Sequence, residues 1–176
     1  MTGPFSSDRI VAWGDELRRV HVQLRRALAL AREAVEDGTV PEESTAPEGG
    51  PAAARELLLF CHGFCVALSG HHRAEDGALF PQVVAAHPEL APVVAKLTQD
   101  HSMIEYLIGG LGAALARGAP AEETLRHLDG IEAVMETHFG YEERQLVAVL
   151  DASQDWGATG ASSLEGDRRR LFGPLA

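Results

Sequence analysis

His71 and Glu75 stand four residues apart, and His138 and Glu142 repeat the spacing. On a helix that is about one turn, so each imidazole and its carboxylate project from the same face. Two further histidines, His21 and His101, sit singly within other apolar-periodic stretches. Any one histidine on an apolar face is ordinarily a hydrogen-bonded core residue. Four of them with two glutamates are harder to explain that way, because a buried carboxylate is costly unless it is paired or bound to a metal. The chemistry these six residues suit is metal ligation.

The donor types narrow the metal. Imidazole and carboxylate without thiolate suit iron or manganese, whereas zinc usually settles for four ligands. Two HxxxE pairs supply bridging oxygens for two ions, and bridging by Glu75 and Glu142 leaves a position open for a small exogenous ligand. With iron beside that position, the reachable chemistry is that of O₂, peroxide or nitric oxide. The ExxH pattern of ferritin-type carboxylate sites fits less well, because these motifs run histidine first.

Four segments must position these residues. The first runs from about Asp8 to Asp37, with Trp13, Leu17, Val20, His21, Leu24, Leu28 and Ala31 at three- and four-residue steps and arginines on the other side. A Gly-, Pro- and acid-rich loop from Asp37 to Pro51 follows. The second segment runs from about Ala52 to Leu79, with Pro81 expected to end or kink it. Its inward stripe reads Leu57, Phe60, Phe64, Ala67, His71, Ala74, Glu75 and Ala78. His62 falls about 180° from His71 and is expected in solvent, while His72, only ~100° away, can reach the site or line its edge.

The third segment, roughly Glu89 to Arg117, carries His101 on a stripe with Leu97, Ile104 and Leu111, and Glu105 one turn after His101. The break at Gly118-Ala-Pro120 leads into a fourth segment reaching about Leu150, with His138 and Glu142 among Leu128, Ile131, Met135 and Leu146. His127 lies roughly 16 Å along the axis from His138, too far to share its metal.

Four such helices with short to moderate connections predict an all-α, antiparallel up-down-up-down four-helix bundle over residues 1–150. His21, His71, Glu75, His101, His138 and Glu142 lie at matching distances from the connecting turns, so at ~1.5 Å per residue they fall in one layer. Residues 151–176 lack sustained periodicity and read as a partly ordered tail, with Arg168–Arg170 as a solvated patch or a dock onto the acidic body.

The 176 residues are enough for one domain with a real core. A net charge of -11 and a pI near 5.1 disfavour nucleic acid and an anionic membrane surface as partners. The start has no basic stretch followed by an apolar run, and no segment approaches a membrane span, so a cytoplasmic location is expected. Cys61 and Cys65 have no companions to complete a thiolate site and read as helix-packing thiols.

At the residues His21, His71-His-Arg-Ala-Glu75, Asp100-His101 and His138-Phe-Gly-Tyr-Glu142 the chain resembles the hemerythrin-like family, also described as the HHE cation-binding domain. The resemblance spans about residues 8 to 150 and implies a four-helix bundle holding two iron ions, oxo- or hydroxo-bridged, with the two glutamates spanning them. Two positions depart from the oxygen-carrying pattern. Leu97 stands where those proteins have a histidine one turn before His101, and the closing motif is HxxxE, not HxxxxD. One iron thus lacks an imidazole that His72 or Glu105 could replace, or these two could sit just outside the ligand set. The departure turns the expectation from reversible O₂ carriage toward reaction with O₂, peroxide or nitric oxide, with catalase- or peroxidase-like turnover one form of it. The alternative is a di-iron sensor or binding module without turnover, read by a protein partner.

Overall fold

The computed structural model describes residues 13–37, 50–152 and 164–176, with side chains described from 59 onward in the second stretch and from 166 onward in the third. The expected helix turn at 8–12, the loop at 38–49, Leu57 of the inward stripe and the tail at 153–163 lie outside the described residues. The described chain is all-helical. Its elements are α1 (Trp13–Asp37), α2 (Gly50–Ala74), a π-helical turn (Glu75–Leu79), α3 (Phe80–Ala86), a 3₁₀ turn (Pro88–Leu90), α4 (Ala91–Ala116), α5 (Ala121–Ala152) and α6 (Leu164–Phe172).

The four long helices close a circuit of contacts: α1 packs on α5 and α2, and α4 packs on α5 and, more sparsely, on α2. Between them lie fully buried Leu17, Leu24, Phe64, Leu68, Leu97, Ile104, Leu111, Leu128, Met135 and Leu146. Each such side chain contributes roughly 1.5–3 kcal/mol by leaving water. The ends are fixed locally. Gly118 takes φ 67°, and Ala119 N–H then reaches Ala114 O at 3.0 Å, closing α4 in a left-handed cap. The first turn of α1 is held from afar, since Gly14 N–H donates to Asp151 Oδ1 at 2.9 Å. Among the described residues no helix is long and apolar enough to cross a membrane.

Of the two outcomes expected at Pro81 one is ruled out, and the inward stripe of the second segment needs correction. Pro81 does not end the helix. It has no N–H to give to residue 77, and the chain absorbs the loss by widening one turn, Phe80 N–H bonding Glu75 O five residues back, before α3 continues. The inward stripe is also rotated. Phe60 is 39% exposed while Cys61 and Leu68 are fully buried, so the seam runs Cys61, Phe64, Leu68, His71 and Glu75. Steps of three and four keep that seam against the neighbouring helices, which leaves position 60 about 60° from its centre, at the edge. His62 is exposed, as its phase requires.

Beyond the fourth long helix the chain forms another element. Residues 164–172 make α6, which packs on α1, α2 and the π turn and buries Leu171 and Phe172 completely. Arg168 meets Glu16 of α1 at 3.3 Å, one contact of the basic run with the acidic body.

Candidate metal centre

Five helical pieces aim side chains into one buried layer. α1 contributes His21, the end of α2 contributes His71 and His72, the π turn Glu75, α4 His101, and α5 His138 and Glu142. Every one of them is at most 4% exposed. They form two groups, His21, His71, Glu75 and Glu142 in one and His72, His101 and His138 in the other, each with a set of ligand atoms within 4.8 Å of one another.

The two glutamates stand between the groups. Glu75 Oε1 is 3.2 Å from His71 Nε2 while its Oε2 is 3.5 Å from His101 Nε2. Glu142 Oε2 is 3.2 Å from His21 Nε2 and 3.9 Å from His138 Nε2. His101 and His138 bring their Nε2 atoms to 3.1 Å, and His72 stacks on His101 with ring centroids 4.0 Å apart. Widening the helix at 75–79 places Glu75 at the start of the irregular turn, a device that π-bulges often serve at functional sites.

The outward nitrogens are held. His21 Nδ1 lies 2.8 Å from Glu143 Oε1, His101 Nδ1 lies 3.0 Å from Asp76 Oδ1, and His71 Nδ1 donates to Phe172 O at 3.0 Å. Such partners orient a ligating imidazole and set which nitrogen keeps the lone pair. Glu143 and Asp76 were not singled out from the sequence as partners of the histidines, yet a signal was there: each glutamate of the layer is followed at once by a second acid, Glu75-Asp76 and Glu142-Glu143. In both cases that second acid turns to a histidine on a different helix.

The inward atoms are not satisfied by the protein. His21 Nε2, His71 Nε2, both ring nitrogens of His72, and all four oxygens of Glu75 and Glu142 are buried without a hydrogen-bond partner. Buried polar atoms are nearly always partnered, and so many orphans converging on one layer need a charge to satisfy them. A cation, or two, does so. The donor set fits.

Charge in the layer is distributed unevenly. Burial pushes Glu75 well above the usual carboxylate range, with the facing Glu142 adding to it. Glu142 resists the same burial and is held down at about 2, because the His21 imidazole 3.2 Å away and the other imidazoles around it favour its charge. Burial also lowers His21, but the Glu142 and Glu143 carboxylates outweigh it and raise the group. Burial takes His71 down to about 3, His138 to about 4 and His72 well below its usual value. Neutral imidazoles are the form a metal needs.

Glu105 lies outside both groups. Its side chain is about half exposed, accepts from Ser69 Oγ at 2.7 Å and pairs with Arg73 at 3.3 Å. With Ser69, Arg73, Asp76, Ser102 and Tyr106 it surrounds a surface cavity of about 480 Å³ that reaches His72 and His101. Leu97 is fully buried in the core. Neither Cys61 nor Cys65 joins the layer, and burial pushes their thiols up to about 11 and 12.

A family model described as hemerythrin HHE cation binding domain matches residues 14–150. The chain belongs to that family. The matched span holds all seven histidine and glutamate residues of the layer together with Asp76 and Glu143, and it stops short of α6. No curated protein and no solved structure matches the chain. The family is described by cation binding, a property that the layer's orphaned buried donors suit.

Proposed function

We propose that this HHE-domain chain binds two iron ions and reacts there with O₂, peroxide or nitric oxide. The observation that carries the reading is the division of the layer into two donor groups with both carboxylates between them. His21 and His71 would serve one ion, His72, His101 and His138 the other, and Glu75 and Glu142 would span the pair. In this assignment His72 replaces the imidazole that Leu97 cannot supply. Iron so held supplies one-electron redox chemistry and a position for a small ligand. The protein's own part is to keep His71 and His138 neutral, bury the donors, and orient His21 and His101 through Glu143 and Asp76.

The reading includes an up-down-up-down four-helix bundle. Its support is the order of contacts between α1 and α5, where residue numbers rise along one helix as they fall along the other: Gly14 with Asp151, His21 with Glu142, Arg25 with Glu136 and Arg32 with Asp129.

Metal analysis and an absorption spectrum of the aerobically purified protein test the proposal. Two irons per chain with near-ultraviolet bridge-to-iron bands are expected; stoichiometric zinc or no metal would overturn it. Added peroxide then separates two forms of the function. Sustained O₂ evolution marks turnover, and a single stoichiometric spectral change marks a sensor or store.

A further inference from the structure

α6 lies beyond the span that the family model matches, yet it reaches the metal layer through its backbone. The last carbonyls of a helix have no partner within it. Here one of them, Phe172 O, accepts from His71 Nδ1 at 3.0 Å in a fully buried setting. The chain can deliver that carbonyl because it stops in a left-handed turn. Gly173 has φ 87°, and its N–H bonds Arg169 O at 3.0 Å.

The approach is also too close for a side chain. A Cβ on Gly173 would lie 2.8 Å from His71 Cα and 2.9 Å from Gly70 O. On the α2 side of this contact, a Cβ on Gly70 would lie 2.9 Å from Cδ of the Pro174 ring. Gly173 therefore lets two backbones touch beside a metal-layer histidine, and Gly70 leaves room for the Pro174 ring. The Phe172 ring, 6.0 Å from Trp13, and the Arg168–Glu16 pair hold α6 against α1.

A neutral imidazole carries its proton on one nitrogen only. A carbonyl facing Nδ1 requires the proton there, which leaves the lone pair on Nε2, the atom that is buried, unpartnered and 3.2 Å from Glu75. We propose that the α6–Gly173 turn is a built-in part of the centre: the Phe172 carbonyl is a positioning group that fixes the tautomer and ring orientation of His71 toward the ion. The tautomer stands independently of the reading above, and only its consequence for iron rests on that reading.

Nitrogen-15 NMR of the metal-free full chain tests the first part without any substitution. His71 is expected with its proton on Nδ1; a proton on Nε2 overturns the proposal. For the second part, Gly173→Ala in the full chain is expected to mix the His71 tautomers and weaken ferrous iron binding about 10- to 100-fold, the usual effect of losing such an outer partner. Unchanged tautomer and affinity in a helical Gly173→Ala protein overturn it. Leu171→Ala loosens the same helix while leaving the Phe172 carbonyl and Gly173 in place. It is expected to lower thermal stability and keep the Nδ1–H tautomer; loss of the tautomer there would assign the effect to packing and overturn the proposal. If the wild-type chain takes up no iron, the di-iron reading falls, while the NMR result still decides the contact.

Discussion

Around His21 a charge pair stands ready before any metal arrives: Glu142 is held down at about 2, His21 is raised, and Glu143 secures the outer nitrogen at 2.8 Å. Around His72, His101 and His138 the arrangement is different. Burial pushes His72 and His138 far down, His72 has no partner on either nitrogen, and a cavity opens beside the group. One half is compensated within the protein and closed by Phe139, whose ring stacks 3.8 Å from His21. The other keeps His72 and His138 neutral and faces a route to solvent. The carboxylates between the halves therefore have unequal duties. Glu142 is already an anion, whereas Glu75 carries the cost of burial and must shed a proton to bind a metal.

Removing what the halves share should have the largest effect. Glu75→Ala is expected to abolish binding of both ions, read as iron per chain, with no loss of stability in the metal-free protein, since the carboxyl that burial and Glu142 oppose has gone. Retention of both ions would dissolve the two-group picture. Next, His72→Ala should release the ion of the three-imidazole half and leave the other, giving about half the iron and an altered spectrum. Full iron in that variant would move His72 out of the ligand set.

A pH dependence of the metal-free protein follows from the imidazoles. Below the ordinary histidine value of 6.5 the unfolded chain takes up protons that His71, His72 and His138 refuse until far lower pH. Stability therefore falls on acidification, by about 1.4 kcal/mol per pH unit for each of the three. Glu75 works in the opposite direction, keeping a proton that an unfolded glutamate loses above 4.5. His21, whose proton is held by its carboxylates, opposes the trend only above 6.5, and below that value three imidazoles outweigh one carboxyl. Urea midpoints at pH 7 and pH 5 should differ accordingly, and a midpoint higher at pH 5 would contradict the neutral half. The smallest effect belongs to His62→Ala: exposed and outside both groups, it should change iron content by nothing measurable.

Much of this was legible in the residues themselves. The spacing of His71 with Glu75 and of His138 with Glu142, and the stripes carrying His21 and His101, put six side chains in one layer because helical periodicity converts sequence number into azimuth and height. The doublets Glu75-Asp76 and Glu142-Glu143 were equally visible, though their meaning was not. Pro81 left two outcomes open, because a proline's missing N–H can be met by breaking the helix or by widening it, and local sequence does not choose between them.

What the sequence determined alone is the class of the helices, the donor types and their approximate level. Tertiary structure decided the rest. His71 and His72 differ by about 100° on their helix, and only the placement of α4 and α5 lets both turn inward, each to a different group. Glu105 has a ligand's chemistry and a plausible spacing, but Ser69 and Arg73 occupy it at the surface. The Phe172 carbonyl is the extreme case. Every residue has a carbonyl, so no residue type announces this one, and it counts only because Gly173 lets two distant backbones meet at His71 while Gly70 leaves room for the Pro174 ring.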